Sequence, residues 1–118
     1  MAQTALRNVI EPILEHEFAD SSYGFRPQRS TKDALRQVRN QLNAGKLHVL
    51  DADIQGFFDE IPHDKLMAKV RRHISDSRVL QLLESYLKCA TIDQGKSTIP
   101  TKGTPQGSII SPLLANLY

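Results

Sequence analysis

Residues 50–66, "LDADIQGFFDEIPHDKL", hold a change of pattern: apolar alternation gives way to a turn with two phenylalanines, and then to helical spacing. The stretch 46–54, "KLHVLDADI", leads into it with leucine, valine and isoleucine but no helical stripe, which predicts a strand. Alternation puts Leu47, Val49, Asp51 and Asp53 on one face and His48, Leu50, Ala52 and Ile54 on the other. Both faces carry apolar residues, the pattern of a central strand covered on two sides.

Helical patterns surround this strand. Leu6, Val9, Ile10, Ile13, Leu14 and Phe18 predict a helix or two short ones over about residues 3–19, with a kink or restart at Pro12. A turn-rich segment, "SYGFRPQRS" (22–30), follows, in which Gly24 and Pro27 shape the chain and Tyr23 and Phe25 pin it to the core. Ser30 or Thr31 then caps a second helix with Asp33 in its first turn, a buried stripe of Ala34, Leu35, Val38 and Leu42, and a stop at Gly45. Leu66, Val70 and Ile74 mark a third helix, and Val79, Leu80, Leu82, Leu83, Tyr86 and Leu87 a fourth. Residues 90–101 read as a hairpin around "DQGK", and Ser111 followed by Pro112 as N-cap and first residue of a last helix. A strand thus stands among helices in one chain.

The totals exclude more than they assign. A chain of 118 residues has room for about one core, and 40% hydrophobic with 24% charged residues fits neither a disordered nor a membrane-spanning chain. No apolar run reaches the roughly 18 residues of a membrane span, and the N-terminus lacks a secretory pattern, so the cytoplasm is the expected location. Cys89 is the only cysteine, which leaves it as a small core residue and excludes an internal disulfide. A net charge of +2 says little about partners. The run "PLLANLY" (112–118) ends without a cap, which suggests an excerpt of something larger.

Asp51, Asp53, Asp59, Asp64 and Glu60 cluster around Phe57 and Phe58. Carboxylates at the end of an apolar strand are costly to bury unless a cation compensates, and Mg²⁺ takes hard oxygen ligands of this kind. Asp53, with the backbone oxygen of Ile54, therefore suggests a metal ligand, while the same residues also suit turns and helix caps. Gly103 and Gly107 bracket Pro105 and Gln106 in a loop able to offer backbone N–H groups to a phosphate, or simply to turn the chain. The four histidines have no common ligand spacing and read as surface or supporting residues. Lys65, Lys69, Arg71, Arg72 and Arg78 form either a solvated face or a track for a phosphate backbone.

In order, "SYGFRPQRS", "DADIQGFFDEIPHDKL" and "GTPQGSIISPLLANLY" resemble consecutive blocks of the reverse transcriptases (maturases) encoded by group II introns, over about residues 5–118. The resemblance implies that residues 1–118 are one partial domain, fingers and the first half of a palm, of fold class α+β with helices packed on a small antiparallel sheet. It makes Asp53 the first catalytic aspartate, with Ile54 lending its carbonyl to Mg²⁺. Phe58 becomes the steric gate that favours deoxynucleotides. Gln106 and Gly107 belong to the loop that contacts the incoming nucleotide, and Arg26 and Arg29 are the candidate contacts to template phosphates. The implied partners are an RNA template, a DNA primer, deoxynucleoside triphosphates and the intron RNA.

The family's second block of paired aspartates does not occur in these 118 residues, nor does the thumb and maturase region. The resemblance therefore implies a chain that does not polymerise by itself, and whose unpaired sheet edge is open to self-association. A non-catalytic RNA-binding or intron-splicing module on the same scaffold is the alternative.

Overall fold

The computed structural model describes residues 1–89, 91–93, 96–105 and 107–118. Helix α1 (Ala2–Leu14) runs through Pro12 into a 3₁₀ turn at Glu15–Glu17. Its apolar spacing puts Leu6, Ile10 and Leu14 on one buried face, with Phe18 just beyond. Helix α4 (His63–Val70) contributes Leu66, Met67 and Val70, and α5 (Ser77–Leu87) contributes Leu83 and Leu87. Helix α6 (Ser111–Leu117) brings Leu113, Leu114 and Leu117 into the same cluster. Contacts run from α4 to α5, α4 to α6 and α1 to α6, so the core is helix packed on helix.

This corrects the α+β expectation. The predicted strand 46–54 has no regular structure and is exposed throughout, Leu50 at 93% and Leu47 and Val49 at 76%. A strand exists only when its backbone groups find a neighbouring strand. Among the described residues the strands are β1 (Thr91–Asp93) and β2 (Lys96–Thr98), which pair antiparallel with each other, Thr91 opposite Thr98. The expected hairpin is thus present, but it is no sheet for helices to lie on.

Helix α2 (Thr31–Asn43) begins where the sequence says it should. Ser30 accepts from the Asp33 N–H, and the Asp33 carboxylate accepts from the Ser30 N–H at 3.0 Å, a reciprocal cap. Gly45 follows the helix at φ 87°, the left-handed conformation that glycine adopts freely. The buried stripe does not form: Leu35, Val38 and Leu42 are exposed and no residue of α2 is buried. Amphipathic spacing records that a face suits burial, while only packing decides whether anything covers it. With α2 and the 46–54 segment outside the core, the radius of gyration is 16.8 Å, against about 13.5 Å for a compact chain of this length.

Two smaller expectations also change. Cys89 is exposed rather than a core residue, because it follows the last turn of α5. Helix α6 starts one residue early, with Ile110 at the N-cap, because the Ser111 hydroxyl donates to the Pro105 carbonyl at 2.9 Å instead of capping the helix.

The caps of α2 and α5 carry a pH response. The Ser30 hydroxyl, then its backbone N–H and Arg36, hold the Asp33 carboxyl below its ordinary value. Backbone N–H groups of Arg78 and Val79 do the same for Asp76. A carboxyl depressed in the folded state contributes stability that is present above the ordinary carboxylate range and lost as pH falls through the depressed value. Acidification is therefore expected to speed amide exchange at Arg78 and Val79 ahead of Leu83. Asp76→Asn, which still caps but does not titrate, should abolish that response; an unchanged acid profile in this variant would reject the assignment.

Candidate functional site

The residues after the irregular 46–54 segment fold tightly. Gly56 takes φ 61° and its carbonyl accepts from Asp59 (2.9 Å) and Glu60 (3.1 Å), closing the single turn α3 (Phe57–Glu60). The rings of Phe57 and Phe58 meet edge to face at 5.9 Å, and Phe57 also lies 6.3 Å from Tyr118 of the last helix. Ile61 is buried, which anchors the far end of the turn.

The 101–105 segment is zipped onto this turn. The Gly103 N–H donates to the Ile61 carbonyl and the Thr104 N–H to the Phe58 carbonyl, both at 2.8 Å. Pro62 and Lys102 form a β-bridge, and the Lys102 ammonium reaches the Glu60 carboxylate at 2.7 Å. Gly103 sits at φ 84°, and a Cβ there would stand 2.8 Å from the Asp59 carbonyl oxygen. Only glycine lets the two segments come this close.

Between them opens a cleft of about 920 Å³. One wall is Asp53, Ile54, Phe58 and Asp59; the other is Thr104, Pro105, Gly107 and Ser111. Two sequence blocks separated by some forty residues thus share one cavity, and four of the expected site residues, Asp53, Ile54, Phe58 and Gly107, lie on it. Gln106 lies outside the described residues. Asp53 is exposed and Phe58 half-buried, so a carboxylate and an aromatic face are both open to a ligand.

The "SYGFRPQRS" loop also borders the cleft, through Phe25 rather than through an arginine. Phe25 is exposed at φ 55°, a strained conformation for a bulky residue. Its neighbours hold it there. The Asn116 amide donates to the Gly24 carbonyl at 2.8 Å, tying the loop to α6. Arg26 is 8% exposed; it donates to Glu15 (2.8 Å) and to the carbonyls of Ala19 (2.6 Å) and Ser22 (3.0 Å), over the Phe18 ring. Arg29 donates to the Asp20 and Ser22 carbonyls and lies over Tyr23. Both guanidiniums are thus engaged with the chain itself, and neither lines the cleft.

Sequence reasoning placed Phe25 in the core and passed over Thr104, which is 4% exposed, lines the cleft and has a buried hydroxyl without a hydrogen-bond partner among the described residues. The adjacency of Thr104 to Gly103 was the available signal, since a glycine forced by close approach fixes its neighbour too. The hard oxygens of Asp53, Asp59 and the Ile54 carbonyl suit Mg²⁺ in kind. They fall short in number: among the described residues no three His, Cys, Asp or Glu side chains converge. No helix among them is long and apolar enough to cross a membrane.

The chain is similar to protein YkfC of Escherichia coli (strain K12), 42% identical over 121 residues, covering 99% of this chain and 32% of that protein. It is also 42% identical over 118 residues to an uncharacterized 91 kDa protein in the cob intron of Schizosaccharomyces pombe, covering all of this chain and 14% of that protein. To the group II intron-encoded protein LtrA of Lactococcus lactis subsp. cremoris it is 39% identical over 118 residues, again all of this chain and 20% of the relative. The chain thus spans between about a seventh and a third of the length of these relatives. The family model described as reverse transcriptase (RNA-dependent DNA polymerase) matches residues 1–118, and with relatives encoded in group II introns beside it, the chain belongs to that family.

Proposed function

We propose that the cleft between Asp53, Phe58 and the 104–108 loop holds an incoming deoxynucleoside triphosphate, and that the chain forms part of a group II intron RNA-directed DNA polymerase. The observation that supports this reading is the meeting of the two family blocks in one cavity, a carboxylate and an aromatic on one wall and a glycine-bordered loop on the other. In the reaction a primer 3′-hydroxyl attacks the α-phosphate and pyrophosphate leaves. Positioning and charge stabilisation account for most of the acceleration in such transfers.

Asp53 and the Ile54 carbonyl would hold Mg²⁺, which when bound neutralises the triphosphate as one of a pair of ions. The donor set here is incomplete, so the 118 residues by themselves are proposed not to polymerise, and the remaining ligands are left to the rest of a polymerase domain. Phe58 places its ring where it meets the sugar, excluding a 2′-hydroxyl by bulk. Gln106 and Gly107 are assigned to the base and sugar of the nucleotide. Arg26 enters as the strut that shapes the loop, and Arg29, the more exposed of the two, as the contact to an RNA template. The DNA primer and the intron RNA complete the proposed partners.

The gate gives a direct test. In the full-length protein, Phe58→Ala is expected to raise ribonucleotide incorporation relative to deoxynucleotide by on the order of a hundredfold, since steric exclusion is lost while the attractive contacts remain. Single-nucleotide primer extension with each triphosphate measures it. Unchanged selectivity would remove Phe58 from the sugar site.

A further inference from the structure

The geometry points to His63 as a positioning residue: by holding Gly103, it sets where the loop wall of the cleft stands relative to Phe58. The inference rests on the cleft being the nucleotide site, and it deepens that reading.

His63 is the first residue of α4 and does not line the cleft. Its ring is buried, and Nε2 lies 2.6 Å from the Gly103 carbonyl oxygen. A carbonyl only accepts, so Nε2 carries the proton and donates. Nδ1 is buried without a partner among the described residues, so this bond is the ring's one polar contact with them. The residues around it explain its reach. One turn and two turns further along α4, Leu66, Met67 and Val70 are set in the core, so the helix is a fixed base. Gly103 in turn is bonded through its N–H to Ile61, and the next residue, Thr104, through its N–H to Phe58. The ring therefore links the helix core to the residue that precedes the cleft wall.

His63 has an open neighbour. A second cavity of about 570 Å³, lined by His63, Met67, Leu87 and Ile99 among others, adjoins it. Burial confines the ring, and the hydrogen bond sets which way its polar edge faces. Without it the 101–104 segment keeps its three backbone bonds, with His63, Ile61 and Phe58, but loses the side-chain bond that holds the Gly103 carbonyl.

Glutamine carries its amide nitrogen as many bonds from the backbone as Nε2 of histidine, whereas phenylalanine keeps the ring and loses the donor. In the full-length protein, His63→Phe is expected to speed amide exchange at Gly103 and Thr104 by about tenfold, the loss of one buried hydrogen bond. Exchange in α1 should stay unchanged. The KM for deoxynucleoside triphosphates should rise by a similar factor with kcat much less affected, and His63→Gln should restore both. Should His63→Phe fail to fold, His63→Asn, whose amide stops one bond short, replaces it in the same comparison.

Unchanged exchange at Gly103 and Thr104 would overturn the proposal. So would faster exchange with an unaltered KM, or a His63→Gln protein no better than His63→Phe. The exchange measurement uses no nucleotide, so its failure is separable from failure of the polymerase reading, which shows instead in the Asp53 variant.

Discussion

Asp53→Asn in the full-length protein is expected to lower primer extension by on the order of a thousandfold or more, while RNA binding stays within about threefold. Asparagine keeps the size of the side chain and its neutral oxygen but removes the negative charge that a divalent ion requires. Asp53 is exposed, lines the cleft and makes no described hydrogen bond or ion pair, so the substitution is expected to leave the fold unchanged. A large loss of activity in a protein of unchanged stability would thus come from chemistry. The measurement is extension of a DNA primer on an RNA template, with filter binding of the RNA alongside and thermal unfolding as the control. Extension that survives would remove Asp53 as a metal ligand. A wild-type protein that binds RNA and never extends a primer would favour the non-catalytic RNA-binding module instead.

Among the described glycines, Gly103→Ala should be the most damaging. Two independent costs add at this position. The φ of 84° disfavours any L side chain, by about 1–2 kcal/mol. A Cβ would also stand 2.8 Å from the Asp59 carbonyl oxygen and 3.1 Å from its Cα, backbone atoms that cannot swing aside as a flexible side chain would. Relief requires the 101–104 segment to part from α3, which breaks the bonds from Gly103 to Ile61 and from Thr104 to Phe58. The expected destabilisation is about 3 kcal/mol, within the range of overpacked and strained sites. Urea unfolding measures it, and nucleotide binding in the cleft should fall before global unfolding does. Gly107→Ala makes the contrast, since its φ is 78° but no atom lies within 4 Å of an added Cβ. Equal effects at both glycines would show that conformation, and not close approach, is what matters at Gly103.

Much of the local structure was legible because its causes are local. The reciprocal cap of Ser30 and Asp33 needs only a hydroxyl and a carboxylate three residues apart, and Gly45 ends the helix by its own conformational freedom. Part of each apolar stripe is buried as its period suggests, Leu6, Ile10 and Leu14 in α1 and Leu83 and Leu87 in α5, while Val9, Ile13 and Leu82 of the same expected stripes are exposed. The three ordered blocks were enough to carry the family, which the whole-chain match establishes.

The candidate site was legible only in part. Asp53, Ile54, Phe58 and Gly107 stand out as residue types, and the structure brings them to one cavity. The arginines of "SYGFRPQRS" looked equally chemical. Whether a guanidinium is free depends on which carbonyls and carboxylates lie within its reach, and for Arg26 these are Glu15, Ala19 and Ser22, brought together by a tight loop. Phe25 shows the converse, an aromatic expected in the core that the same loop turns out toward the cleft.

By itself, then, the sequence determined the cap and glycine stop of α2, which positions are apolar, and the family, since these depend on neighbours three or four residues away or on residue identity. Tertiary structure alone decided what those faces meet. Residues 46–54 have the alternation of a strand but no partner strand among the described residues, and α2 has an apolar stripe that nothing buries. Backbone N–H and C=O groups form a sheet only across a gap that another segment must fill, and an apolar face loses its water only where a second surface excludes it. The same holds for the cleft. Its residues were written in two blocks, but the glycine that lets those blocks touch, and the histidine that holds it, acquire their meaning only from the 2.6–2.8 Å distances across which they meet.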